Sequence, residues 1–280
     1  MELKKTRTIL SIFLSFVTAA ATLITLASFI LNITMASPSF FTEKLITPQV
    51  VSECTKQLHM KYKSLEAESG IPARVFETVT QDSGVEFSLQ TAAANIFLSE
   101  SSTLYNEERV NYFYKLCTEY FSGNNIEYNE KNVLLVSEKA ARIYSDTLGI
   151  HNTESIEKYI SGYKQDCLKI ISTGIIIIAL CCCMLCIIYK KRADIMLFAG
   201  CGGAGGGAAA VICAIICLIL KTGSDVIFYP AVYQQSLYSM IRISFIYLLL
   251  VGIACISISC ILIIFAVKAY NKERKLRELN

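Results

Sequence analysis

Hydrophobic positions in this chain follow two patterns. In four stretches they run on continuously, and between the first and second of these they recur at helical spacing. The continuous runs are Thr8–Met35, Leu168–Tyr189, Ile195–Leu220 and Ile243–Val267; the first is apolar apart from Ser, Thr and one Asn. A helix needs ~20 apolar residues to cross ~30 Å of hydrocarbon, and each run reaches that length. Lipid offers the backbone no hydrogen-bond partner, so runs of this length cross as helices.

Residues 37–167 read differently. "NEERVNYFYKLCTEYFSG" sets Val110, Phe113, Tyr114, Cys117, Tyr120 and Phe121 on one helical stripe. Asn106 is placed to cap its start, and Gly123 to supply the left-handed residue that ends it. A second stripe runs Val133, Val136, Ala140, Ile143, Tyr144, Thr147 and closes at Gly149. A third runs Val51, Cys54, Leu58, Tyr62, Leu65 and ends at Gly70. "SGIPARVFETV" starts a short helix with Pro72 in its first turn, where a missing N–H removes no bond, and "VEFSLQTAAANIFL" predicts another. The last helix of the region begins near Asn152–Thr153 with Ile156, Ile160, Tyr163 and Cys167 on one face. No Pro or Gly pair separates it from the second apolar run, so one continuous rod is expected.

The predicted fold is therefore an all-α polytopic membrane protein with four transmembrane helices, arranged 1+3. An α-helical extracytoplasmic domain of five or so helices is inserted between helices 1 and 2. The segments are a tail at 1–7, helix 1 at 8–36, the domain at 37–167, helix 2 at 168–189 and a Gly-rich helix 3 at 195–220. An outer interfacial loop at 221–242, helix 4 at 243–267 and a basic tail at 268–280 complete the chain. In "FYPAVYQQSLY", Tyr229, Tyr233 and Tyr238 suit a helix lying at the outer interface, with Pro230 opening it and Arg242 anchoring helix 4.

Charge orients this threading. Residues 37–167 hold 12 Lys/Arg against 18 Asp/Glu, a net −6. The short segments 1–7, 190–194 and 268–280 hold 11 Lys/Arg against 4 Asp/Glu, a net +7. Basic flanks stay cytoplasmic, so both termini are expected inside a plasma membrane and the acidic region outside. The first run, near 28 residues, is longer than the ~7–15 of a signal h-region, which reads as a retained anchor rather than a cleaved leader. The 54% hydrophobic composition agrees with a polytopic chain.

The exit from the first run into "SPSFFTEKL", then "SGIPARVFETV", then three further runs, resembles a group of four-span envelope proteins of Gram-positive bacteria for which no activity is established. The resemblance implies a helical extracellular domain on a four-span anchor, and nothing about mechanism.

The chemistry-bearing residues are few. "IIIIALCCCMLCIIYKKR" contains Cys183-x-x-Cys186, formally a redox motif, with Cys181 and Cys182 as soft-metal candidates. The motif lies one turn from basic residues, on the side where thiols stay reduced, and cysteines recur at 201, 213, 217, 255 and 260 as small apolar bulk. Structural filling is the expectation. Cys54 and Cys117 are either two buried thiols or one disulfide, since spacing supplies no geometry. "GCGGAG" at Gly200–Gly205 matches a dinucleotide fingerprint with Asp225 beyond it, but lacks the strand–helix–strand context that fingerprint needs. Gly202, Gly203, Gly206 and Gly207 read instead as small-xxx-small pairs for close helix packing, with Gly252 and Ala254 as candidates to face them.

Only His59 and His151 are present, and neither an HExxH motif, a G-x-S-x-G elbow nor a Walker lysine occurs. The middles of the four runs carry no Asp, Glu, Lys, Arg or His, so the buried charged groups that commonly mark ion-coupled carriers are missing. No catalytic residue, cofactor, metal or nucleic acid is expected. The expected partners are the lipid bilayer and a partner protein or second copy in the membrane. The function expected is a non-enzymatic membrane protein that displays an interaction, sensing or scaffold domain. Two alternatives remain. The 1+3 order resembles permease subunits of certain ATP-driven exporters and of a cell-division regulator, although "KKRAD" offers little for an ATPase to grip. A thiol-dependent membrane oxidoreductase would use Cys183 and Cys186.

Overall fold

The computed structural model describes residues 2–79, 82–98, 104–150, 154–222 and 231–278. In chain order the helices are α1 (Glu2–Ile33), α2 (Pro38–Leu45), α3 (Pro48–Ser69), α4 (Ala73–Glu77), α5 (Asp82–Leu98), α6 (Glu107–Gly123) and α7 (Glu130–Leu148). They continue as α8 (Glu154–Ile188), α9 (Arg192–Ile219), a 3₁₀ turn at Ala231–Tyr233, and α10 (Gln234–Glu278). No strand occurs among the described residues. The chain divides into two compact units. One is Met1–Ala36, Tyr163–Thr222 and Ile241–Asn280; the other is Ser37–Gly162 with Gly223–Met240.

Four helices are long and apolar enough to cross a membrane, over Lys5–Ile33, Asp166–Ile188, Arg192–Ile219 and Ala231–Lys272. They outlast the apolar runs. α1 already begins at Glu2, and α10 starts at Gln234 and continues to Glu278. Lys, Arg, Glu and Leu are good helix formers, so a run's polarity can change without ending the helix. The tails read as 1–7 and 268–280 are thus largely helical, and the 221–242 loop is helical from Ala231 onward.

In the apolar unit, Ser11, Leu14, Thr18, Ala21 and Ser28 form the buried stripe of α1. Small residues here let backbones approach. A Cβ added at Gly202 would lie 2.9 Å from Thr18 Cβ, and one at Gly206 would lie 2.6 Å from Thr22 Cβ and 2.7 Å from the Ala19 carbonyl. Across the other side of α9, a Cβ at Gly207 would lie 2.9 Å from the Gly252 carbonyl oxygen of α10. α8 meets α1 where Gly174 faces Thr25. Hydroxyls on this stripe satisfy themselves: Thr18 donates to the Leu14 carbonyl at 2.8 Å and Thr25 to Ala21 at 2.7 Å. Ser15 donates across to the Phe198 carbonyl at 2.9 Å. Because apolar lipid gives helices no hydrophobic reason to associate, such close van der Waals contact and interhelical bonding is what holds them. Large apolar side chains point away from the interface, Phe16 at 72% exposure and Ile187 at 78%.

The second unit is a helical bundle with a conventional core. Cys54, Leu58 and Tyr62 of α3, Phe76 of α4, Leu89 and Ala92 of α5, Phe113 and Cys117 of α6, and Ala140 and Leu148 of α7 are all fully buried. Tyr62, Phe76, Phe113 and Tyr144 form an aromatic cluster, with Tyr62–Phe76 at 5.5 Å and Phe113–Tyr144 at 6.3 Å between centroids. Each such pair adds ~0.5–1.5 kcal/mol beyond its burial.

Caps fix where these helices begin and end. Thr47 accepts from the Val50 N–H, with Pro48 at the first helical position. Asn106 accepts from Arg109 N–H at 2.8 Å. Gly70, at φ 72°, ends α3 in the left-handed conformation that favours glycine. Gly123 does not end α6: it stays helical, and the left-handed residue is Asn125 at φ 53°. Asn tolerates that region through local side-chain bonding, so an exposed Asn two residues on served equally well. Gly149 does close α7, with extended backbone at φ −68°.

One element of this unit, α2, was not read from the pattern, and another was read as a helix but placed elsewhere. α2 lies behind a Ser37 cap and Pro38, and its Phe41 packs edge-on against Phe97 at 5.2 Å. The segment after α9 also belongs here. Tyr233 is fully buried and donates its hydroxyl to the Leu148 carbonyl at 2.9 Å, with Leu237 and Met240 buried one and two turns on. Tyr233 is therefore a core residue of the bundle and not a side chain at a lipid interface. Tyr229 and Pro230 lie outside the described residues.

Candidate functional site

The candidate site is a groove of about 580 Å³ in the helical bundle. α3 forms one wall. Its buried stripe, Cys54, Leu58 and Tyr62, faces the core, which turns Ser52, Lys56 and His59 to the opposite, solvent side. These three stand four and three residues apart, about one helical turn each, so they line a single face. Glu77, the last residue of α4, and Glu86 of α5 form the facing wall. Ile46, Pro48 and Val51 supply apolar surface at one end.

α4 is held against α3 by two polar contacts. The Ala73 N–H donates to Glu66 Oε2 at 3.0 Å, which substitutes for a side-chain cap that Pro72 cannot provide. His59 Nδ1 contacts Glu77 Oε1, joining the two walls of the groove. Glu86 is exposed and accepts from the Gln90 amide at 3.1 Å. Lys56 makes no ion pair within the described residues. Thr55 turns its hydroxyl proton back to the Val51 carbonyl at 2.9 Å. His59 and Glu77 thus form an acid–base pair across the groove.

A second depression of about 550 Å³ lies between the end of α3 and α7. Lys139 and Glu68 bridge it at 2.9 Å, and Glu138 and Arg142 also line it.

The residues singled out from the sequence do not converge. Cys54 and Cys117 are both free, buried thiols. Cys54 sits 3.9 Å from the Thr147 carbonyl, while Cys117 faces Ser137. Burial pushes the Cys54 thiol up to about 12 and the Cys117 thiol to about 11. The structure therefore holds them as two thiols in separate surroundings and not as a bridge.

On α8, Cys181 is buried, Cys182 half-buried, and Cys183 and Cys186 exposed. Successive residues on a helix point ~100° apart, so Cys181, Cys182 and Cys183 spread round the helix, while Cys186 stands one turn on from Cys182 and Cys183. Among the described residues no three His, Cys, Asp or Glu side chains are placed to hold a metal ion. The four glycines Gly202, Gly203, Gly206 and Gly207 lie against α1 and α10 as described, but Ala254 is exposed and does not face them. His151 lies outside the described residues.

Sequence reasoning missed Lys56, Glu77 and Glu86. The polar face of α3 was available as the complement of its apolar stripe. Glu77 and Glu86 join it only through packing of three separate helices. No family model, no curated protein and no solved structure matches this chain.

Proposed function

We propose that this chain is a multi-pass plasma-membrane protein that displays its helical bundle outside the cell as a non-enzymatic recognition module. Both termini lie in the cytoplasm. One observation carries the reading: the bundle is built from two insertions, 37–162 and 223–240, that interrupt an otherwise apolar unit. In a four-crossing chain these are the first and third connections, which must emerge on one side. The second connection and both tails hold the basic residues expected at the cytoplasmic face. A core such as Tyr233 against Leu148, drawn from both insertions, requires that same-sidedness.

The groove supports recognition as the module's task, since it presents charged side chains on rigid helices beside apolar surface. Photo-crosslinking from Lys56 and Glu86 in intact cells tests this. Capture of a defined protein or small molecule, lost when the groove is altered, is the expected result. Labelling no different from that at the exposed 122–132 region would contradict it. The permease reading gains nothing, since only residues 189–191 separate α8 from α9. For the oxidoreductase reading, Cys183 and Cys186 stand exposed one turn apart on α8, and Cys181 is buried.

A further inference from the structure

The groove's two walls differ in sign, and from this we infer that it binds a zwitterion of di- or tripeptide size carrying an apolar side chain. Lys56 receives the ligand's carboxylate and Glu86 its ammonium. The inference rests on the reading of the bundle as a recognition module and adds the chemical class of what it recognises.

The two walls carry four titratable side chains, and two of them are spoken for. His59 and Glu77 contact each other. Lys56 on the α3 wall has no ion pair among the described residues, and Glu86 on the α5 wall holds one neutral amide, from Gln90. One available cation and one available anion thus face a common space, with Ile46 almost wholly buried at 9% exposure and Val51 half-buried beside them. Other ligand classes fit this set less well. A phosphate dianion would meet the carboxylates of Glu77 and Glu86 across the groove. A purely apolar ligand would strip water from Lys56 and Glu86 without replacing it. A divalent cation finds no three-ligand cluster among the described residues. A zwitterion satisfies both free charges at once, and about 580 Å³ lies within the ~300–1,000 Å³ that small-molecule sites occupy.

The test uses the full chain in lipid nanodiscs and isothermal titration with leucyl-leucine, its N-acetyl form and its C-terminal amide. Leucyl-leucine should bind, and blocking either end should weaken binding by about tenfold or more, the loss of one charged hydrogen bond. Lys56→Gln should weaken the free dipeptide by a similar factor while leaving the amide's affinity unchanged. Glu86→Gln should do the same for the free and N-acetylated forms. Both side chains are exposed, so the variants should keep wild-type circular dichroism and unfolding midpoint. Equal affinity for free and blocked dipeptides, or wild-type binding by both variants, overturns the assignment. Binding of none of the three peptides also overturns it, while crosslinking from the groove still reports separately on whether the bundle recognises anything.

Discussion

Tyr62 and Tyr144 share an aromatic cluster, but their hydroxyls differ. Tyr144 Oη lies 2.7 Å from Ser88 Oγ, and the Arg109 guanidinium sits 4.5 Å over its ring. Tyr62 Oη is buried with no hydrogen-bond partner among the described residues. A buried hydroxyl without a partner loses its hydration and gains nothing, so Tyr62→Phe should be neutral or stabilise by up to ~1 kcal/mol. Tyr144→Phe should destabilise by about 1 kcal/mol. Denaturant unfolding of both variants decides this, and the reverse order would show the cluster is wired differently. The two buried thiols make a second residue-scale prediction. Their folded values, about 12 and about 11, exceed the ordinary 9.0. The unfolded chain therefore releases these protons first as pH rises, and stability should fall from about pH 9 upward while being unaffected below it. A Cys54→Ala, Cys117→Ala double variant, followed by unfolding midpoint between pH 8 and 10.5, should lose less across that interval than the wild type. Equal losses would contradict the burial argument.

At the scale of elements, α9 is where packing is tightest. Gly206→Leu drives a branched side chain into Thr22 and the Ala19 backbone, and Gly207→Leu does the same against Gly252. Each should separate the helices and lower the unfolding temperature by several degrees. Gly123→Ala is the control. It lies in α6 with nothing within 4 Å of an added Cβ, and should stabilise by ~0.5–1 kcal/mol. Thermal unfolding in detergent reads all three, and a benign Gly206→Leu would refute the close approach. Tyr233→Ala belongs at this scale too. Emptying a fully buried aromatic site costs ~3–5 kcal/mol, so limited proteolysis should open α3 and α7, and an unchanged digestion pattern would mean the segment does not complete the core.

Much of this architecture was legible in the chain. The stripes of α3, α6 and α7 give the centres of their buried faces, Cys54, Leu58 and Tyr62 or Phe113 and Cys117, while members such as Val51, Tyr114 and Val136 stay half-buried. α8 is unbroken from Glu154 to Ile188 because nothing in that stretch interrupts a helix. α2 escaped notice because eight residues hold too little period to detect. The Tyr233 segment was read as an interfacial helix, and its burial escaped because the stripe of Tyr233, Leu237 and Met240 resembles one until its partner, 85 residues earlier, is known. The groove was least legible of all. Lys56 and His59 could be placed on one polar face, but the acidic wall comes from two other helices, and only tertiary packing brings it opposite.

For the whole molecule, the proposed threading turns on sidedness. Two insertions form one bundle, the four long helices carry exposed apolar side chains suited to lipid, and the basic segments gather on the remaining connection and tails. Recognition by the groove has meaning only if the bundle faces outward. The most direct measurement places a specific protease site between Asn124 and Asn125, in an exposed connection of the bundle where insertion is tolerated. The protease is then added to intact cells expressing the chain with a tag at each end. Cleavage before lysis, leaving both tags protected and the chain cut near its middle, is the predicted result. Cleavage that occurs only after the cells are opened, or tags trimmed from intact cells, would contradict it.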